Sequence, residues 1–164
     1  MLKNLFRRRQ DPIQPLYEAI VAAARQKPFY AEQGVPDTID GRFDMLVLHL
    51  ALVIARLKGE KGELRNALVE RFCVDMDDNI RELGANDITV GKKVRRMAEA
   101  FQGRYAAYEN AVDEAALVQA LTRNVYAGQQ SSGAQALARY VMGARTALTA
   151  QNADVIASGQ VRFS

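Results

Sequence analysis

Tryptophan is absent from the 164-residue chain, cysteine and histidine occur once each, and all four prolines fall before residue 37. A single cysteine, Cys73, can close no internal disulfide and build no thiolate metal cluster, which fits a reducing compartment. It sits one position from the apolar stripe of its helix, and a buried thiol is expected there. With His49 the only imidazole, a conventional metal site is not expected, and a buried, hydrogen-bonded ring is the plain reading. No Ser–His–Asp or Cys–His pairing stands out, because His49 lies inside an apolar run, an awkward place for a base that water must reach. Long hydrophobic runs are missing too. Met45 to Ala55, broken by His49, is flanked by charge, whereas a membrane span needs about twenty residues. The chain is expected to be soluble, or at most bound to a membrane face. The opening MLKNLFRRRQ puts its apolar residues before its arginines, which does not read as a signal peptide. Beyond residue 36 no proline interrupts helix, favouring an all-α fold.

Hydrophobic content of 49% and charge of 25% are ordinary for one globular domain, and a formal charge of +3 is mildly basic. Residues 1–14 read as a basic, flexible start. Leu5 and Phe6 with Arg7, Arg8 and Arg9 form a candidate contact with an anionic bilayer, the alternative being a solvated end. Residues 15–151 read as one bundle of about six helices, and 152–164 as a tail whose course the residues do not specify. Pro15 suits the first turn of a helix that should stop near Lys27, before Pro28. Phe29 and Tyr30, in a turn-rich stretch, are expected under the loop. Residues 43–58 are apolar nearly all round, so they should form the buried centre of the bundle, with Asp40 as a cap before them.

The most distinctive stretch is Phe72 to Arg104, two helical patterns joined by a short turn. Leu64, Leu68, Phe72, Met76, Ile80 and Leu83 mark one apolar face, and Val90, Val94, Met97, Phe101, Tyr105 and Tyr108 the other. Gly84 is placed to end the first helix, and Asp87 or Thr89 to cap the second. Charge is segregated. Glu63, Glu70, Asp75, Asp77, Asp78 and Glu82 outnumber Arg65, Arg71 and Arg81 before the turn. After it, Lys92, Lys93, Arg95, Arg96 and Arg104 outnumber Glu99 and Glu109. Cations in the first turns oppose the helix dipole, at about 0.3–1 kcal/mol each. The preceding acidic helix, or a partner, must account for them.

Three chemical patterns fail here. ELGANDITVGKK has the wrong glycine spacing for a phosphate loop, and Lys93 stands where Ser or Thr should follow the lysine. DMDDNIRE has no facing acidic run with which to chelate Mg²⁺. KKVRRM is basic enough to meet phosphates, but helix–turn–helix spacing is absent and the acidic helix would repel a duplex, so no specific nucleic-acid partner is expected. The residues alone describe a helical binding or structural domain rather than an enzyme. An apolar pocket holding quinone, haem or lipid is the alternative.

The string DMDDNIRELGANDITVGKKVRRMAEAFQGR resembles the signature of the ubiquinol–cytochrome c chaperone family. The matching elements are Asp75, Met76 and Asp77; Arg81, Glu82 and Gly84; Asp87, Val90, Gly91 and Lys92; Arg95 and Arg96; and Met97 through Arg104. GRFDMLVLHLALVIARLKG, with His49 and Arg56, also looks like the family's. The resemblance covers about residues 14–150. It implies a non-enzymatic factor without cofactors that binds newly made cytochrome b and promotes biogenesis of the ubiquinol–cytochrome c reductase. A small partner protein and the ribosome are further partners it implies, and the short basic start implies a bacterial, cytoplasmic-side form, peripheral on the inner face of the membrane. Partner contact is expected from Asp75, Asp77, Asp78, Arg81, Asp87, Lys92, Lys93, Arg95, Arg96 and Arg104. His49, Phe72, Met76, Met97 and Phe101 are expected in an apolar client surface or the core.

Overall fold

Helix Ile39–Leu57, apolar nearly all round, buries thirteen of its nineteen residues, and four of the five other long helices pack on it. A computed structural model describes residues 11–164, and among these every regular element is helical. The order is α1 (Gln14–Ala24), α2 (Lys27–Ala31), α3 (Ile39–Leu57), α4 (Gly62–Glu82), α5 (Asp87–Asn110), α6 (Glu114–Asn124), α7 (Ser132–Thr149) and α8 (Ala153–Ala157). Six are long, as the periodicity predicts. The two five-residue helices, α2 and α8, are too short to leave a periodic signature. Helix α3 packs on α1, α4, α5 and α7, while α4 pairs with α5 and α6 with α7. Each fully buried Leu or Ile of α3 is worth about 1.5–3 kcal/mol, so the bundle is organised by this one helix.

Several boundaries differ from the sequence expectation, each for a local reason. Helix α3 starts at Ile39, capped by Thr38, whose Oγ1 accepts from the Gly41 N–H; Asp40 lies inside the first turn. Pro28 does not follow a long α1. That helix closes at Ala24, and Pro28 instead occupies the first turn of α2, where its missing N–H costs nothing. Phe29 is buried as expected, and the half-buried Tyr30 donates its hydroxyl to the Ala24 carbonyl at 2.9 Å. Asp113 caps α6 by accepting from the Ala116 N–H at 2.8 Å.

Two arginines tie helix ends together. Arg56 of α3 donates to the carbonyls of Leu148 and Gln151 at the end of α7, at 2.9 and 2.6 Å. Arg145 of α7 donates to those of Ala111 and Tyr108 at the end of α5, at 2.8 and 2.6 Å. Both guanidiniums satisfy orphan carbonyls where the helix dipole is negative. At the start of α7, a Cβ on Gly133 would stand 1.8 Å from the Gln33 carbonyl oxygen, so only glycine admits that approach. The last residues fold back as well. Gln151 brackets Arg162 through its backbone, and Phe163 is buried against the His49 ring at 4.9 Å between centroids.

Candidate functional site

The α4–α5 hairpin turns as the sequence predicts at one residue and differently at the next. Gly84 takes φ +84°, a left-handed conformation that glycine adopts without a Cβ clash. The α5 cap is Asn86, whose Oδ1 accepts from the Thr89 N–H at 3.0 Å; Asp87 and Thr89, the expected caps, lie within the first turn. Phe72 and Phe101 meet across the hairpin with ring centroids 5.6 Å apart, and Phe43 of α3 joins them at 5.9 Å. Phe72, Met76 and Phe101 are therefore core, and Met97 is half-buried against it.

The acidic residues of α4 do not pair with the cations of α5 as the segregation first implies; the pair that crosses the turn is Arg81 of α4 with Asp87 of α5. Arg81 closes on Asp77 at 2.6 Å and on Asp87, which absorbs three of the expected partner contacts. Asp75 accepts the Tyr17 hydroxyl from α1 at 2.8 Å, and burial, with that carboxylate beside it, raises the phenol's pKa. Arg104 turns inward to Asp44 of α3 at 2.9 Å, with its guanidinium over the Phe43 ring. Among the described residues, Lys92, Lys93, Arg95 and Arg96 are exposed and make no ion pair, and Asp78 is exposed likewise. The acidic helix thus does not account for the cations of α5.

At the hairpin, α1, α3, α4 and α5 enclose a groove of about 280 Å³. Val21, Phe43, Leu46, Met76, Ile80 and Met97 form its apolar walls. Ile39 and Leu83 stand at its mouth, 67% and 70% exposed, although Leu83 belongs to the apolar stripe that the sequence places against the bundle. Helix α4 ends at Glu82, so nothing lies across from Leu83. The edges carry Arg25, just past the end of α1, Arg42 from α3, and Asp75 and Glu82 from α4. Sequence reasoning missed Ile39, Leu83 and the two arginines as site residues. Four helices, α1, α3, α4 and α5, must meet to make the groove, and no periodicity records that.

A second hollow of about 260 Å³ lies between α3, α5 and α7, lined in part by Ala51, Ala55, Tyr105 and Leu148. Its arginines, Arg56 and Arg145, are already committed to helix-end carbonyls. Small-molecule pockets span roughly 300–1,000 Å³, and both hollows fall below that range.

His49 is wholly buried. A carbonyl can only accept, so Nδ1–H donates to the Met45 carbonyl at 2.8 Å, and Nε2 then accepts the Tyr140 hydroxyl at 2.8 Å. Phe29, Tyr140 and Phe163 surround the ring. Burial pushes its pKa down to about 4, so it is a neutral structural imidazole. Cys73 is half-buried rather than fully so, and burial raises its thiol. The membrane-surface candidates Leu5, Phe6, Arg7, Arg8 and Arg9 lie outside the described residues.

Comparison with known proteins agrees with this architecture. A crystal structure of the Cbp3 homolog from Brucella abortus superposes with a TM-score of 0.82 at 39% identity, covering 92% of this chain and 87% of that one. Ubiquinol-cytochrome c reductase complex assembly factor 1 of Drosophila melanogaster is 28% identical over 121 residues, 68% of this chain and 47% of that protein. The protein of the same name from Xenopus laevis is 24% identical over 115 residues, 67% of this chain and 58% of that protein. The chain thus spans about half the length of these curated relatives. The model of the ubiquinol-cytochrome C chaperone family matches residues 31–163, across the hairpin, the groove's α3 and α4 walls and the His49 layer, and the chain belongs to that family.

Proposed function

We propose that this protein is a non-enzymatic assembly factor that holds a segment of newly made cytochrome b during biogenesis of the ubiquinol–cytochrome c reductase. It works peripherally at the inner face of the cytoplasmic membrane. The observation that carries the reading is the groove: an apolar floor with two large aliphatic side chains, Ile39 and Leu83, held in water at its mouth. An exposed apolar mouth rimmed by charge is a protein-docking feature. An apolar client segment covers Ile39 and Leu83, while the exposed Glu82 on one edge and Arg25 on the other set its direction. Charge of this kind governs orientation and partner choice more than affinity. The carrier alternative has no observation in its favour, since neither hollow reaches the size of ordinary ligand sites.

The test is a strain carrying Ile39→Asp and Leu83→Asp together. Capture of cytochrome b on the tagged protein should drop at least about tenfold, the scale of losing one anchor of 1.4 kcal/mol or more, and reductase levels should follow. Normal capture and normal reductase would overturn the reading.

A further inference from the structure

We infer that the outer face of α5 is a docking surface for an anionic lipid bilayer. The inference rests on the reading of a peripheral membrane location and is independent of the groove. Lys92, Lys93, Arg95 and Arg96 are all exposed, and none closes on a carboxylate within the fold. Four of the nearby carboxylates are engaged within the fold. Asp77 and Asp87 close on Arg81, Asp75 on Tyr17, and Asp44 on Arg104. Exposed Asp78 and Glu82 remain on α4, and Glu99, one turn beyond Arg95, points the same way as Lys92, so four cations stand against this single carboxylate on the α5 face.

At 100° per residue, Lys92 and Arg95 point away from the buried line of Val90 and Phe101, and Ile88 points with them. Ile88 is 76% exposed, one turn before Lys92. Gly91, with open space where a Cβ would be, leaves the helix backbone bare beside them. Cations around an aliphatic residue match the headgroup phosphates and acyl boundary of a bilayer. A surface for single-stranded nucleic acid would want aromatic platforms for bases. The large hydrophobics exposed among the described residues, Ile39, Val74, Leu83, Ile88, Val112, Met142 and Val155, include no aromatic.

Each cation held at an anionic bilayer is worth about fivefold in partition at moderate salt. The full-length protein is mixed with vesicles of phosphatidylcholine alone, or of phosphatidylcholine with an equal part of phosphatidylglycerol, and bound protein is read by flotation. Wild type should float only with the anionic vesicles, less so as salt rises. Replacing Lys92, Lys93, Arg95 and Arg96 together by Gln should cut that binding about 100-fold or more, with helical circular dichroism unchanged. Exchanging each Lys for Arg and each Arg for Lys should preserve it. Undiminished flotation of the Gln variant, or binding lost only on removing residues 1–10, overturns the inference. So does association of the face with polyuridylic acid in preference to the vesicles. The Ile39→Asp, Leu83→Asp protein should float like wild type, so client capture and lipid binding fail separately.

Discussion

Asp44 and His49 lie five residues apart on α3 and are both buried, yet their surroundings are built on different terms. Around His49 every polar atom is matched: one ring nitrogen donates, the other accepts, and three aromatic rings close the layer. Around Asp44 the charges touch without completing their bonds. Arg104 comes within 2.9 Å, but Asp44 Oδ1, Arg104 Nε, the Tyr108 hydroxyl and Asn124 Nδ2 all lack an aligned partner. Burial outweighs the guanidinium and lifts the carboxyl to about 6. The α3–α7 side is a finished core, whereas the α3–α5 side, which backs the hairpin, keeps unspent polarity.

The largest expected effect breaks the Asp44 side alone. Arg104→Ala leaves a buried carboxylate uncompensated and should cost about 3–5 kcal/mol in urea unfolding. The pair Asp44→Leu, Arg104→Met should restore most of that, because two apolar groups leave no charge behind. If the single variant is as stable as wild type, water reaches Asp44 freely and the contrast is lost.

Titration sharpens the comparison. His49, lowered from 6.5 to about 4, contributes stability present above 6.5 and lost as pH falls towards 4. Asp44, raised from 3.8 to about 6, does the reverse: its contribution is full below 3.8 and lost as pH rises through 6. Each amounts to about 3 kcal/mol at 1.36 per pKa unit. The two nearly cancel between pH 4 and 6. Unfolding followed across that window should therefore steepen in Asp44→Asn, with stability climbing more sharply as pH rises. A profile in Asp44→Asn identical to wild type would remove the opposition.

Tyr140→Phe strips the donor from His49 Nε2 and should cost about 1–3 kcal/mol. The smallest effect belongs to the groove mouth. Ile39→Asp and Leu83→Asp, both already in water, should each change the melting free energy by less than about 0.5 kcal/mol, so loss of client capture would not be unfolding in disguise.

What the sequence carried well is whatever a single helix decides. The all-round apolar run of α3, the stripe through Phe72 and Phe101 and the left-handed Gly84 were all readable from neighbours within a turn or two. Caps failed where several eligible oxygens crowd together. In Asn86-Asp87-Ile88-Thr89 three side chains can serve, and backbone geometry picks one. Long-range choices were invisible. Arg104 reads as one more surface cation until α3 brings Asp44 beneath it, sixty residues away. Leu83 reads as core because its period is right, although the neighbour it needs does not exist. The hairpin was legible as the distinctive element, but the groove beside it was not.

The burial of Phe163 has a consequence for the order in which the molecule is made. His49 lies on α3, yet one wall of its aromatic layer comes from Phe163, beyond α8. During synthesis the central helix can gather α1, α4, α5 and α7 in turn, but the layer stays open to water until residue 163 is free to dock. The centre of this fold is specified early, yet its aromatic layer closes only with a residue made more than a hundred positions later.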